Sequence, residues 1–299
     1  MPKSWYFCSM VKRLEGVEVR DAMVAQIRQQ VEMSHANDVC LATVLVGEDG
    51  PSQIYVRNKH KLAEAAGFTS KNVVLPSETT QDGLESAIAE LAADPGVHGI
   101  LLQSPIPDSL DFERAVALVP VEKDVDGLTV ESLGRLVRGL PGHCSCTPLG
   151  VLRILQHYGI ATSGKKAVVI GRSTLVGLPM AIILQRKGID ATVTIAHSRT
   201  SNLSAVCAEA DILVAATGMP RMIQADFVKP GATVIDVGIS RIDEKIVGDV
   251  DFDGVSKVAG AVTPMPGGTG PMTVGCLIEN TWAAYRWQRE GIEPSLLKG

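Results

Sequence analysis

Short apolar runs and amphipathic stretches alternate along most of the chain. The apolar runs predict strands at 41–46, 72–75, 97–102, 167–170, 192–196, 212–216 and 233–237. Apolar residues at helical spacing predict helices at 20–31, 52–66, 81–92, 112–118, 130–137, 149–158 and 271–289. Strands that alternate with helices are typical of parallel sheets, so we expect an α/β fold.

The chain is long enough for about two domains. A segment rich in Gly, Pro, Cys and His at 139–148 predicts the boundary, and the helix at 149–158 bridges it. The last helix has no partner strand, so we expect it to pack back on the first half. The predicted domains are therefore 1–148 with 272–299, and 149–271.

A glycine-bearing loop follows the strand at 167–170. Gly171-Arg172-Ser173 leads to Gly177, where a helical pattern opens. Backbone N–H groups at a helix N-terminus bind pyrophosphate, so Gly171, Arg172 and Ser173 are candidate dinucleotide ligands. The spacing departs from Gly-x-Gly-x-x-Gly, and alone it also fits an ordinary strand-to-helix turn. Within the alternating pattern it predicts a Rossmann-type nucleotide-binding domain.

The next strand predicts which dinucleotide binds. It ends in His197-Ser198-Arg199, where NAD-binding folds usually have an acidic residue for the ribose hydroxyls. Hydroxyl and cationic groups suit a 2′-phosphate, and Arg172 could supply a second cation. We therefore predict NADP as the cofactor, although Arg199 alone also fits a solvated surface charge.

Two further strand ends fall at the same predicted sheet edge. Thr217-Gly218 follows the third strand of this half, and Gly238-Ile239 follows the fourth. Carboxyl ends of parallel strands border the ligand crevice. We expect these residues to lie beside the nicotinamide half of the cofactor.

The first half carries a second set of polar residues. Tyr55 and Lys59 are four apart on a predicted helix and share a face. The same spacing marks short-chain dehydrogenases, but in those enzymes the pair lies inside the nucleotide domain. The chain is therefore not interpreted as a short-chain dehydrogenase. The plain alternative for the pair is a solvated basic helix face. Gln103 closes a strand and Asp126 lies in Lys123-Asp124-Val125-Asp126-Gly127. We expect these four side chains to converge on a polar heterocycle.

Charge and cysteine content exclude several function classes. The net charge is −5 without a long Lys/Arg run, which argues against nucleic-acid or anionic-membrane partners. The six cysteines are scattered, which fits a reducing cytoplasm better than a disulfide framework. Cys144 and Cys146 are too close together for a zinc knuckle, so we expect no metal. Residues 1–9 lack a signal-peptide core and are interpreted as an extension ahead of a start at Met10.

Six motifs in order give the chain a close resemblance to a known family. They are Tyr55-Val56-x-x-Lys59-x-Lys61, Gly99-Ile100-Leu101-Leu102-Gln103-x-Pro105-Ile106-Pro107, Lys123-Asp124-Val125-Asp126-Gly127, Cys146-Thr147-Pro148, Gly171-Arg172-Ser173 and Thr263-Pro264-Met265-Pro266-Gly267-Gly268-Thr269-Gly270-Pro271-Met272-Thr273. With them the chain resembles the methylenetetrahydrofolate dehydrogenase/methenyltetrahydrofolate cyclohydrolase family from Met10 to about Arg289. It departs at Ser104, where leucine is expected, and at Met265 and Thr269, where valine is usual.

The resemblance implies two reactions and a role for each motif. A hydride passes from 5,10-methylenetetrahydrofolate to NADP, and water then opens the methenyl product to 10-formyltetrahydrofolate. Lys59 is implied as the key catalytic side chain, tuned by Gln103, with Asp126 on the pterin N–H groups and Tyr55 stacked on the aromatic part. The implied substrate-binding residues also include Pro266, Gly267, Gly268 and Thr273. The family further suggests a homodimer through the nucleotide domain.

Three other functions stay open on the sequence alone. The protein could be a monofunctional dehydrogenase, although Lys59, Gln103 and Asp126 argue for hydrolysis as well. A non-catalytic dinucleotide-binding module would need none of those residues. A hydroxy-acid dehydrogenase would need a catalytic histidine beside a basic anchor, and the six histidines form no such pattern.

Overall fold

A computed structural model describes residues 11–243 and 245–296 of the chain. The predicted extension at 1–9, which includes Cys8, lies outside the described residues. The elements of the first half are β1 (Lys12–Arg13), α1 (Gly16–Met33), β2 (Cys40–Val46), α2 (Gly50–Ala65), β3 (Thr69–Leu75), α3 (Gln81–Ala93), β4 (Gly99–Leu102), α4 (Phe112–Val116) and α5 (Val130–Arg138). Those of the second half are α6 (Cys146–His157), β5 (Lys166–Ile170), α7 (Gly177–Gln185), β6 (Thr192–Ala196), α8 (Leu203–Cys207), β7 (Ile212–Ala215), β8 (Thr233–Asp236), β9 (Ser240–Ile242), β10 (Lys245–Val247), α9 (Phe252–Val255), β11 (Ala261–Val262) and α10 (Thr269–Glu290).

The first half is built on a three-stranded parallel sheet. Its order is β3-β2-β4, and the central strand β2 is buried along its whole length. A strand buried on both faces requires a continuous apolar run, which is why β2 was predictable from sequence. The helix α2 follows it, and the Asp49 carboxylate caps that helix by accepting a hydrogen bond from the Ser52 N–H at 2.8 Å.

The second half is built on a six-stranded sheet whose paired strands are all parallel. Its order is β1-β11-β8-β7-β5-β6, which confirms the predicted parallel α/β class. In the register of this sheet Ile170 lies opposite both Ala196 and Ala215, and Ala215 lies opposite Asp236. The residues that follow these strands therefore meet at one edge, as the sequence predicted.

The strands β1, β9, β10 and β11 were not predicted. The strand β1 pairs in parallel with β11, so Lys12 and Arg13 join the six-stranded sheet. Both strands span two residues, and the side chains of Lys12 and Arg13 are exposed, so no apolar run marks β1. The hairpin of β9 and β10 is antiparallel and mostly exposed.

The helices α1, α6 and α10 join the two halves through one apolar cluster. Arg153 on α6 forms a buried fork with both carboxylate oxygens of Glu279 on α10, at 2.8–3.1 Å. Trp282 donates its indole N–H to Gln30 on α1 at 2.8 Å. The expectation that the last helix packs back on the first half is confirmed.

The described residues include neither a membrane-spanning helix nor a metal-binding cluster. Within this part of the chain no helix is both long and apolar enough to cross a bilayer. Nor do three or more His, Cys, Asp or Glu side chains there approach closely enough to hold a metal ion. The cysteines covered by the structure are buried and form no disulfide; they are Cys40, Cys144, Cys146, Cys207 and Cys276.

Two buried histidines are expected to make the fold acid-sensitive. His98 is 0 % exposed, its Nδ1 accepts from the Cys40 N–H at 3.2 Å, and burial lowers its pKa from 6.5 to about 4. Burial lowers the pKa of His143 to about 4 as well. Between pH 6.5 and 4 the unfolded chain therefore binds protons that the folded chain does not. As the pH falls through that window, the two histidines should lower the free energy of unfolding. Each contributes up to about 1.4 kcal/mol per pH unit.

Urea unfolding at pH 7.5, 6.5 and 5.5 measures this slope. We expect His98→Asn to flatten it, because the amide oxygen still accepts from Cys40 but takes up no proton. The matched control is His35→Asn at an exposed position with φ of +52°, which asparagine tolerates. An H98N slope equal to that of the unsubstituted protein would contradict the assignment.

Candidate active site

A cleft of about 850 Å³ lies where the carboxyl end of the small sheet faces the second half of the molecule. The first half contributes residues of α2 and of the segment after β4. The second half contributes the β9–β10 hairpin and the loop before α10. The lining residues include Tyr55, Lys59, Gln103, Ser104, Ile239, Ile246, Pro266, Gly267 and Thr273.

Lys59 and Gln103 form the central polar contact of the cleft. Lys59 lies on α2, and Gln103 continues the ladder of β4 by donating its backbone N–H to Val44 at 2.8 Å. The Lys59 Nζ donates to the Gln103 Oε1 at 2.8 Å, while the amide nitrogen of Gln103 donates to the Ser104 carbonyl. These two bonds fix the orientation of the amide, with its oxygen towards the ammonium group.

The pKa values of Lys59 and Asp126 are both shifted towards the neutral form. Burial lowers the pKa of Lys59, and the negative charge of Asp126 opposes the shift. Burial raises the pKa of Asp126, and the Lys59 ammonium opposes that shift in turn. The Cys146 thiol donates to the Val125 carbonyl, next to Asp126, at 3.4 Å. A lysine in this setting loses its proton at a lower pH than the usual 10.5.

The remaining charged residues of the Asp126 motif have structural roles. Lys123 donates from Nζ to the carbonyls of Ala92 and Asp94, both at 2.8 Å, where α3 ends. Asp124 accepts from the Leu128 and Thr129 N–H groups and so shapes the turn before α5. Of the three charged residues in the motif, Asp126 alone is left to face Lys59.

Sequence reasoning missed the residue that holds this motif against α10. Asn280 is buried and donates from Nδ2 to the carbonyls of Val125 and Cys144, at 2.8 and 2.9 Å. It thereby fixes the segments that carry Asp126 and Cys146. The only sequence signal for this role of Asn280 was its polar amide among the mainly apolar buried residues of α10.

The loop before α10 reaches the cleft by close backbone packing. Gly267 has φ of +105°, and its carbonyl accepts from the Gly16 and Val17 N–H groups where α1 begins, at 2.8 and 3.3 Å. Pro266 and Gly267 line the cleft, as predicted. Gly268 is buried under the loop, where a Cβ would collide with the Pro264 carbonyl, and its contact with a substrate stays a prediction.

Two further predicted substrate-binding residues line the cleft. Tyr55 is 49 % exposed and lines the cleft. Thr273 also lines it, and its hydroxyl hydrogen-bonds to that of Thr147 at 3.1 Å. Of the departures from the family pattern, Ser104 and Met265 line the cleft, whereas Thr269 is buried and donates to the Asp236 carbonyl at 2.8 Å.

The glycine loop has the geometry of a phosphate-binding turn. Gly171 has φ of +132°, and a Cβ on it would collide with the Ala216 carbonyl. Gly177 opens α7 with no room for a Cβ against the backbone of Gly171. The Ser173 hydroxyl accepts from the Val176 and Gly177 N–H groups at 3.2 and 3.4 Å. Arg172 and Ser173 remain exposed at the tip of the loop.

Two arginines stand at the corner between β5 and β6. Arg172 follows Gly171, whose N–H donates to the Ala196 carbonyl at 2.9 Å, so the two strand ends are adjacent. In the following turn the His197 N–H donates to the Thr200 hydroxyl and the Arg199 N–H donates to the His197 Nδ1, which leaves Ser198 and Arg199 exposed. Across the described residues neither Arg172 nor Arg199 pairs with a carboxylate. This set of donors fits a dinucleotide that carries a 2′-phosphate.

The last predicted cofactor residues lie at the same edge, but their backbone groups are already in use. Thr217 and Gly218 donate their N–H groups to the Asp249 carboxylate, at 2.6 and 3.0 Å. Gly238 donates to the Asp236 carboxylate at 3.0 Å. Ile239 is 54 % exposed and reaches the cleft, so this edge connects the nucleotide loop with the Lys59 site.

Comparisons with known proteins agree with this geometry. Residues 14–126 match the model of the tetrahydrofolate dehydrogenase/cyclohydrolase catalytic domain, and 145–289 match that of the NAD(P)-binding domain of the same family. The bifunctional protein FolD of Phenylobacterium zucineum is 50 % identical over 95 % of this chain and 96 % of its own.

Two solved structures give the same result. The bifunctional dehydrogenase/cyclohydrolase of Campylobacter jejuni is 40 % identical, with a TM-score of 0.89 over 92 % of this chain and 99 % of its own. The Trypanosoma brucei dehydrogenase-cyclohydrolase, solved with NADP and an inhibitor, is 34 % identical, with a TM-score of 0.86 over 93 % and 98 %. The chain belongs to the tetrahydrofolate dehydrogenase/cyclohydrolase family.

Proposed function

We propose that the protein oxidises 5,10-methylenetetrahydrofolate with NADP and then hydrolyses the methenyl product to 10-formyltetrahydrofolate. The observation that carries the proposal is the Lys59–Gln103 pair, held at 2.8 Å in a cleft that also reaches Ile239 at the nucleotide edge. One cleft can therefore serve both the cofactor-dependent step and the proton-dependent step.

The oxidation depends mainly on alignment. The glycine loop and the exposed arginines Arg172 and Arg199 would hold NADP, which would supply the hydride acceptor, so the step would need no protein acid or base. Tyr55 and the backbone of Pro266 and Gly267 hold the folate, and Ile239 excludes water where the two ligands meet. Orientation of this kind supplies much of the rate in such a step.

The hydrolysis depends on Lys59. In its neutral form the amine takes a proton from the water that attacks the methenyl carbon. The ammonium so formed gives that proton to N5 as the C–N5 bond breaks. The second proton of the water leaves the carbinol oxygen for solvent as the formyl C=O forms, so hydrolysis of the methenyl cation releases one net proton. Gln103 holds the amine in place through Oε1, and Asp126 accepts hydrogen bonds from the pterin N–H groups.

The wider assignments follow from the same proposal. Residues 1–148 with 272–299 form the folate domain, and 149–271 form the NADP domain. The protein acts in the cytoplasm as a homodimer through the NADP domain, on a small-molecule folate and without a nucleic-acid or membrane partner. The supporting observations are the scattered cysteines, the net charge of −5 and the family.

A two-channel assay tests the function directly. With 5,10-methylenetetrahydrofolate and NADP, we expect NADPH to appear with little accumulation of the methenyl chromophore, because hydrolysis keeps pace. NADPH with accumulating methenyl product would leave a dehydrogenase alone and remove the role of Lys59. If both ligands bound without turnover, the protein would be a binding module.

A further inference from the structure

Two buried carboxylates lie behind the cofactor loops, and the proposed chemistry uses neither. Asp236 ends β8 and is 2 % exposed, while Asp249 follows β10 and is 0 % exposed. Carboxylates this deeply buried are costly unless hydrogen bonds compensate them, so their partners reveal what they stabilise.

Asp249 is joined to the turn after β7. Its Oδ2 accepts from the Thr217 N–H at 2.6 Å and from the Gly218 N–H at 3.0 Å. The other oxygen, Oδ1, is buried and has no hydrogen-bond partner among the described residues. The carboxylate therefore directs its hydrogen bonding to a single turn, at the edge where the nicotinamide half of NADP is expected.

Asp236 holds Asp249 in place from the other side. Its Oδ1 accepts from the Asp249 N–H and from the Gly238 N–H, and its Oδ2 accepts from the Val250 N–H, all at 3.0 Å. A Cβ on Gly238 would collide with the Asp249 carboxyl group. The Thr217–Gly218 turn and the Gly238–Ile239 segment are thus connected through two carboxylates.

We propose that Asp249 is a positioning residue for hydride transfer, because it fixes the Thr217–Gly218 turn against which the nicotinamide ribose lies. The inference rests on the proposed function. The turn follows β7, whereas Arg199 follows β6 on the other side of β5, in the part of the edge where the 2′-phosphate is expected. Loss of the Asp249 carboxylate should therefore affect the nicotinamide half of the cofactor and spare the adenosine half.

The test compares NADP with adenosine 2′,5′-bisphosphate, which lacks the nicotinamide ribose. In Asp249→Asn we expect the dissociation constant of NADP to rise about tenfold to a hundredfold, the equivalent of one charge-assisted hydrogen bond, with that of the bisphosphate unchanged. The KM for NADP in the dehydrogenase reaction should rise in parallel. Cyclohydrolase activity on preformed methenyltetrahydrofolate, which needs no NADP, should stay within about twofold.

Asp211→Asn is the matched control. Asp211 lies in the same domain at the opposite end of the strands, where it accepts from the Lys166 N–H at 3.0 Å and from Lys229 Nζ at 2.7 Å. We expect neither nucleotide to bind more weakly in this variant.

Two results would overturn the inference. One is equal weakening of both nucleotides in D249N together with loss of cyclohydrolase activity, which would reduce Asp249 to a stabilising residue of the domain. The other is unchanged NADP affinity. If the unsubstituted protein turned over neither substrate, the proposed function would fail, while the comparison of the two nucleotides would still decide the role of Asp249.

Discussion

Replacing Lys59 with methionine is expected to abolish the hydrolysis of methenyltetrahydrofolate and to leave NADP binding intact. Methionine fills a similar volume but cannot exchange a proton. General acid–base catalysis contributes about a hundredfold to ten-thousandfold, so we expect cyclohydrolase activity to fall by at least about a hundredfold. NADP affinity should persist because the residues of the glycine loop lie on the other sheet.

Lys59→Arg separates the proton role from the charge. Arginine keeps the positive charge beside Gln103, but it does not lose its proton in proteins. If the neutral amine is the active form, K59R should be as inactive in hydrolysis as K59M. Since burial lowers the pKa of Lys59, the unsubstituted enzyme should gain cyclohydrolase activity as pH rises through a range below 10.5. Neither variant should show that rise.

Lys71→Met is the control for the same change of charge and shape. Lys71 lies on β3 of the same domain and pairs with Asp94 at 3.2 Å on the surface. We expect its cyclohydrolase activity to stay near that of the unsubstituted protein. Full hydrolysis by K59M would show that the role assigned to Lys59 is wrong, and hydrolysis by K59R alone would show that only its charge matters.

The sequence predicted the elements whose burial is complete. Strands such as β2 and β7 are enclosed on both faces, so each requires an unbroken apolar run. The predicted strand at 72–75 begins earlier, at Thr69, because β3 is an edge strand with mostly exposed or half-buried residues. The strand β1 escaped prediction because its two residues are held by pairing with β11 rather than by burial.

The candidate site was predictable where a side chain faces the cleft. Lys59, Gln103 and Tyr55 stood out because polar groups next to apolar strands and helix faces need a reason. Asp249 and Asn280 did not stand out, since each acts on backbone groups distant in the sequence. A carboxylate that accepts from a turn thirty-two residues away carries no local pattern. Sequence therefore indicates the reacting groups, and the fold is needed to find those that hold them.

Removing the positive charges of Arg172 and Arg199 is expected to convert the cofactor preference. In the Arg172→Gln and Arg199→Gln double variant, the dissociation constant of NADP should rise about tenfold to a hundredfold for each arginine, because each loses a charge-assisted hydrogen bond to the 2′-phosphate. The dissociation constant of NAD should hardly change, since NAD has no phosphate at that position.

Calorimetric titration of both cofactors against each single variant and the double variant measures the effect. Arg138→Gln is the control, since Arg138 is an exposed arginine at the end of α5 and distant in sequence from the glycine loop. Equal loss of NADP and NAD affinity would overturn the phosphate assignment, because it would mean that the arginines support the loop rather than the ligand. The exposed positions of Arg172 and Arg199, with no carboxylate paired to either in the described chain, favour the selective loss. Arg172 and Arg199 lie at adjacent strand ends and form no ion pair with a carboxylate of the described chain. Their charges therefore contribute little to the stability of the fold and are available to bind an anion.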